Sequence, residues 1–142
     1  MILLDTNVLS EFMRPQPSAA VVGWMDAQSP HTVFTSVISR AEIELGLRLM
    51  VPGKRQSGLS EAVQVMFERD LAGRCMPFDE QAALYYGELV AARRRAGRPI
   101  TVEDAQIAAI ALSHGMHLAT RNTTDFELIE GLVVCNPWLP NN

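Results

Sequence analysis

The sequence predicts an α/β fold: three layers, with helices on both faces of a central, mostly parallel sheet of about five strands. Two patterns lead to this reading. Short apolar runs of β-type residues alternate with helix-period stretches along the chain. Strands separated by helices mean βα units, and hence a parallel sheet covered on both sides. A third observation sets the organisation. With 142 residues, 48% of them apolar, the chain can bury a real core, and no repeat or linker composition divides it, so residues 1–142 read as one domain.

The strand candidates are residues 1–4, 31–35, 74–78, 117–120 and 132–135. Each is a short apolar run bounded by polar or turn-forming residues. Helical periodicity marks residues 7–13, 18–28, 37–50, 59–72, 80–96 and 102–114, and a short helix at 126–130 precedes the last strand. Turn signals separate these elements at "RPQP", "VPGKRQSG", "AGRP" and the helix-ending Gly115.

Composition narrows the function classes. No apolar run approaches the ~20 residues needed to cross a bilayer, and no basic region precedes the short apolar N-terminus. Cys75 and Cys135 each sit in an apolar segment and read as free thiols of a cytoplasmic protein, a disulfide being the lesser alternative. The formal net charge of −4 disfavours a general nucleic-acid coat but leaves room for a nuclease, whose metal ligands are acidic. Arg93, Arg94, Arg95 and Arg98 form a basic stretch, either a track for a nucleic-acid backbone or a solvated helix end favoured by the dipole.

The candidate site residues are carboxylates. Asp5 ends the first predicted strand, where open parallel sheets place their ligands; the alternative is a cap on the following helix. In "TSVISRAEIELGLRLM" a rotation of ~100° per residue puts Ile38, Ala41, Leu45 and Leu49 on one core-facing stripe, with Glu42 at its edge. Glu42 is too far into the helix to cap it, so it is either a site residue or a snorkelling acid. Glu44 faces away, four residues from both Arg40 and Arg48, and reads as a solvated ion-pair partner. In "TVEDAQIAAIA", Thr101 reads as an N-cap and Asp104 heads the row Ile107, Ala108 and Ala111, so it looks inward. Glu103 looks outward. Asp125 follows the strand ending near Thr120; it caps the next helix or joins the site, and Asn122 offers a neutral oxygen in the same loop.

These residues are far apart in sequence but fall at strand ends or helix starts on one side of the sheet. Carboxylates brought together repel one another unless a cation joins them. Oxygen-only ligation selects Mg²⁺ or Mn²⁺ over zinc, and the three histidines have no ligand spacing. Such an ion suits phosphodiester hydrolysis.

Four segments, "LLDTNVLSE", "SRAEIELGL", "TVEDAQIAAIA" and "LATRNTTDF", resemble in order and spacing the PIN-domain ribonucleases, in particular the VapC-type toxins of toxin–antitoxin pairs. The closing "VCNPW" is similar to the subgroup that includes FitB. The resemblance implies a PIN fold and Mg²⁺- or Mn²⁺-dependent endonucleolytic cleavage of RNA that leaves a 5′-phosphate and a 3′-hydroxyl. It also implies a homodimer neutralised by a small antitoxin, with DNA contacted only through that complex. By position Asp5, Glu42 and Asp104 match the family's three acids, with Asp5 and Asp104 on the principal ion and Glu42 and Asp125 shaping the water and any second ion. Thr6 and Asn7 match its first motif, Asn7 and Ser36 supporting the ligands. The chain departs from the pattern at the fourth acid, whose place is taken by Asn122, and this weakens a second ion site. A PIN fold that binds RNA or a partner without cutting is the alternative. A receiver domain lacks its late-strand lysine here, Lys54 being the sole lysine and lying in a loop, and "PGK" is no P-loop.

Overall fold

A computed structural model describes residues 1–140; Asn141 and Asn142 lie outside the described residues. The elements run β1 (Ile2–Leu4), α1 (Thr6–Phe12), α2 (Ala19–Asp26), β2 (Val33–Ser36), α3 (Val37–Leu49), α4 (Lys54–Val65), β3 (Cys75–Met76), α5 (Glu80–Arg95), α6 (Val102–Ser113), β4 (His117–Ala119) and β5 (Val134–Cys135). The strands form one sheet in the order β3-β2-β1-β4-β5, and every ladder is parallel. The chain moves outward from β1 to β3, then returns to the other side of β1. This reversal opens a crevice at the carboxyl ends of β1 and β4.

Alternation along β1 builds two cores. Leu3 packs with Leu118 and with Ala82, Leu89, Ile107 and Ile110 of α5 and α6. Leu4, pointing to the opposite face, packs with Val33 and with Val8, Leu9, Val21, Ile43 and Val63 of α1 to α4. These faces are the three predicted layers. Cys75 and Cys135 lie on the two edge strands, four strand spacings (about 19 Å) apart, and both thiols are free.

Several expected boundaries shift. The fourth helix begins at Lys54, inside the stretch expected to be a turn, because Lys54, Arg55 and Gln56 are good helix formers directly behind the Pro52–Gly53 break. Gln56 Nε2 donates to Leu47 O at 2.7 Å, satisfying a carbonyl at the end of α3. That helix closes in a π turn at Met66–Asp70. The expected helix at 126–130 is instead a 3₁₀ turn at Thr123–Phe126, with Glu127 extended and Leu128 at φ 60°, a backbone on which no helix continues.

The core face of α3 also differs from the expected one. Its buried residues are Ser39, Ile43 and Leu47, whereas Leu45 is 59% and Leu49 77% exposed. Two rows of small and apolar residues run along this helix, and polar contacts at its start choose between them. Ser36 caps it, accepting from Ser39 N at 3.1 Å, and Ser39 Oγ lies 2.9 Å from Thr6 Oγ1, which turns the Ser39 row towards α1. Glu42 thus does not border the buried stripe.

Arg93 is neither a backbone track nor a solvated end. It is 3% exposed, and its guanidinium donates to Arg98 O (2.6 Å), Asp125 O (2.9 Å), Glu127 O (2.9 Å) and Pro99 O (3.4 Å). One planar fork ties the turn leading into α6 to the loop that carries Asp125. No carboxylate pairs with it among the described residues. Arg94 and Arg95 are exposed. Arg93→Met is expected to lower the urea-unfolding free energy by about 2–4 kcal/mol, because four carbonyls lose their donor. Arg93→Lys should recover part of this loss, and Arg95→Ala should change it by less than about 0.5 kcal/mol.

Candidate active site

The first site residue is fixed by the end of a strand. Asp5 follows β1 directly, and its amide donates to Ala119 O at 2.9 Å, locking it against β4. Its side chain is 5% exposed and uses both oxygens: Oδ1 accepts from Thr6 N at 2.8 Å, and Oδ2 accepts from Thr120 Oγ1 at 2.7 Å and from Asn7 Nδ2 at 3.4 Å. Oδ1 thus makes the expected cap on α1, while Oδ2 is turned to Thr120 and Asn7. Asn7 fastens the loop after β4 as well, donating to Thr120 Oγ1 at 3.2 Å and accepting from Arg121 N at 3.2 Å.

Two further acids reach the same cleft from separate helices. Glu42 projects from α3 and accepts from Thr6 Oγ1 at 2.9 Å. Asp104 lies in the first turn of α6, where Thr101 Oγ1 accepts from Asp104 N at 3.2 Å and caps the helix. Ile107, Ala108 and Ala111 below it are fully buried, so Asp104 faces inward as expected. The cleft, of about 480 Å³, is lined by Asp5, Glu42, Asp104 and Asn122 together with Glu11, Arg14, Arg121 and Trp138.

Three of the acids in this cleft carry charge that no ion pair offsets among the described residues. Burial pushes the Asp5 carboxyl above its ordinary range against the opposing hydrogen bonds from Thr120 and Thr6, and the charge of Asp125 adds to the rise. Burial also raises Glu42, with further contributions from the charges of Asp5 and Glu103. Asp104 is pushed up to about 6, first by burial and then by the charge of Asp5, with Asp125 and Glu42 adding to it. Among the described residues none of these acids has an ion pair; the paired acids are Glu11, Glu44 and Glu127.

The sequence carries a family identity. The PIN domain profile matches residues 2–132. The chain belongs to the PIN-domain family. Over 138 residues it is 46% identical to the plasmid stability protein StbB of Pseudomonas syringae pv. tomato, covering 97% of this chain and 99% of the relative. Over 140 residues it is 42% identical to the VapC ribonuclease Y4jK of Sinorhizobium fredii, covering 99% of each. Its fold matches a chain in the structure of FitAB bound to the IR36 DNA fragment with a TM-score of 0.92 at 40% identity, covering 100% of this chain and 99% of that one. The resemblance to VapC-type toxins and FitB is thus met in both sequence and fold.

In this PIN domain the acids expected at the site separate into two groups. Asp5, Glu42 and Asp104 line the cleft. Asp125 is exposed and does not line it, although its charge is felt at Asp5 and Asp104; its carbonyl is held by Arg93, and it lies inside the 3₁₀ turn rather than capping a helix. Asn122 lines the cleft in its place and donates from its backbone to Thr120 Oγ1 at 3.1 Å. Ser36 acts through its cap on α3 and the Ser39–Thr6–Glu42 contacts. Glu44 pairs with Arg40 at 3.8 Å and takes no part.

Sequence reasoning missed Thr120, whose hydroxyl binds Asp5 across 115 positions, a pairing no local pattern encodes. It also missed Glu11, buried on the rim, which accepts from Ser18 N at 2.8 Å and Arg14 Nη1 at 3.3 Å and is held below its ordinary range, chiefly by the Ser18 amide. Its position four residues after Asn7 and three before Arg14 was the available signal.

The donor set is all oxygen, and its acids raise one another, which fits a hard divalent cation. As the side chains stand, no three of the described Asp, Glu, His or Cys residues form a closed ligand group. Carbonyl, hydroxyl and water oxygens would have to complete the shell.

Asp104 generates a pH dependence of fold stability. Its folded pKa, about 6, exceeds the ordinary 3.8, so the folded state holds the proton more tightly. The resulting penalty is absent below about pH 4, grows as the pH rises, and is complete above about pH 6. In metal-free solution Asp104→Asn is expected to stabilise the fold at pH 7.5 by about 1 kcal/mol, limited by the solvent around this partly exposed group, and to change nothing at pH 3.5. Denaturation at the two pH values checks this.

Proposed function

We propose that this PIN domain is a VapC-type endoribonuclease, the toxin of a toxin–antitoxin pair. The observation that carries the reading is the convergence of Asp5, Glu42 and Asp104 on one cleft without a cationic partner among the described residues. Residues 1–142 act as one domain in this reading. Asp5 and Asp104 would hold Mg²⁺ or Mn²⁺, which when bound lowers the pKa of water and steadies charge on a phosphoryl oxygen. The hydrogen bonds of Thr120 and Thr6 fix the Asp5 carboxylate in place. Glu42 is oriented by Thr6 through Oε1, and its Oε2 accepts no hydrogen bond among the described residues, leaving it free to orient the attacking water. Attack at phosphorus breaks the bond to the 3′-oxygen, which takes up a proton; the products are a 3′-hydroxyl and a 5′-phosphate. Asp125 adds negative charge from outside the cleft.

The same reading includes a homodimer and neutralisation by a small antitoxin, with DNA met only through the antitoxin complex. The outward row of Leu45 and Leu49 on α3 supports a dimer face. An apolar cleft lined by Leu9, Phe12, Met25 and Met66 supports a seat for the antitoxin. The FitAB structure named above supports the antitoxin partner and DNA contact within that complex. No described helix is long and apolar enough to cross a membrane. A cytoplasmic site of action belongs to the same reading.

The test incubates purified protein with a defined RNA pool, with and without Mn²⁺, followed by end sequencing. Cleavage is expected to require the ion, to leave 5′-phosphates, and to stop when the antitoxin encoded beside the toxin is added. Asp5→Asn and Asp104→Asn should each reduce the rate by about a hundredfold or more while the fold persists. Glu44→Gln should leave it unchanged. Equal cleavage by Asp104→Asn at saturating Mn²⁺ would sink the reading in favour of an RNA-binding module.

A further inference from the structure

Two residues that line the cleft are unused by the hydrolytic reading. Arg121 and Trp138 line it along with the acids, and the Arg121 Cζ lies 5.0 Å from the centroid of the Trp138 ring. Arg121 is exposed, and its guanidinium has no hydrogen bond or ion pair among the described residues. The other arginine of the cleft, Arg14, is committed to the buried Glu11 at 3.3 Å.

Both partners are held in register with the acids. The Arg121 amide donates to Asn7 Oδ1 at 3.2 Å, and the same Asn7 binds Thr120 and Asp5. Trp138 follows the fully buried Pro137, and its amide donates to Asn136 Oδ1 at 2.9 Å. The "NPW" turn thus anchors an indole whose body is half-buried and whose stacked guanidinium keeps its donors free.

A cleft of uncompensated carboxylates repels a polyphosphate chain, so a substrate needs a countercharge and an apolar hold nearby. We propose that Arg121 and Trp138 form the nucleotide subsite of this enzyme: a base of single-stranded RNA stacks on the Trp138–Arg121 pair, and the guanidinium takes the adjoining phosphate. This rests on the nuclease reading and adds to it where the substrate lies. Stacking on an aromatic side chain tolerates any base, so the pair supplies grip and register rather than a base code.

The experiment uses the full chain carrying Trp24→Phe, which leaves Trp138 as the sole indole, together with Asp104→Asn to prevent cleavage. A decamer RNA of randomised sequence, and an abasic ribose-phosphate chain of equal length, are titrated in while Trp138 fluorescence and anisotropy of the labelled strand are followed. RNA is expected to quench Trp138, and the abasic chain is not. Trp138→Ala should weaken RNA binding about tenfold, with Trp138→Phe recovering most of it. Arg121→Ala should weaken both ligands and lower the salt slope by about 0.7, while Arg121→Lys should restore the slope but not the full affinity, since an ammonium does not stack. In chains that retain Asp104, Trp138→Phe and Arg121→Lys should change KM for RNA while kcat stays near that of the parent. If the parent cleaves RNA but Trp138→Ala and Arg121→Ala bind as it does, the subsite is overturned and the nuclease reading stands. If the parent neither binds nor cleaves RNA, both fall together.

Discussion

The carboxylate of Asp5 is held at the one point where the sheet reverses its direction of growth, and much of the molecule is arranged around the need to keep a buried negative charge there. Its amide binds β4, one oxygen caps α1, and the other takes the Thr120 hydroxyl. A desolvated carboxylate with three hydrogen bonds is tolerable, but it still drives up the pKa of its neighbours. The Thr6 hydroxyl links the start of α1 to Glu42 on α3, and Asn7 links it to the loop after β4. The short motif Asp5–Thr6–Asn7 therefore places three elements relative to one charge. This explains why a strand of only three residues can anchor a site: the precision comes from side chains at its end, not from its length.

Much of this was legible in the sequence, for reasons that differ from residue to residue. The alternation of apolar strands and helices gave the layers, and Asp5 and Asp104 were readable because a strand end and a helix start are both marked by local chemistry. Glu42 was found by an incorrect argument. Its helix carries two rows that could face the core, and the choice between them was made by the Ser39–Thr6 contact, which joins residues 33 positions apart. Thr120 and Trp138 were invisible for the same reason, since each acquires its role from a partner on another element. Arg93 was hidden by its neighbours. Three adjacent arginines look alike in a sequence, and only burial separates the one that binds four carbonyls from the two that face water.

Net charge gave a misleading picture of the surface. A value of −4 describes the chain, whereas a ligand meets the cleft, and the cleft holds both signs. Asp5, Glu42 and Asp104 line it without an ion pair among the described residues. Arg14 and Arg121 line it too: Arg14 pairs with Glu11, and Arg121 stacks on Trp138 while its charge also helps to hold Glu11 low. In the proposed reading the acids without an ion pair would serve a divalent ion, and the guanidinium without one would serve a phosphate.

The fourth acidic position bears on how many ions such a cleft can serve. Asn122 lines it where a carboxylate would add a full charge, while the Asp125 side chain does not, the backbone beside it being fixed by Arg93. Asp125 still raises Asp5 and Asp104, so its charge acts through space without offering an oxygen to the cleft. Three carboxylates carry at most three negative charges, enough to offset one divalent ion fully and a second only in part. A second ion would therefore depend on the substrate's own phosphate for its remaining charge and ligands. On the proposed reading the protein itself would hold the first ion and any second one would arrive with the RNA, because the loop that could have supplied its carboxylate is tied down by the buried Arg93.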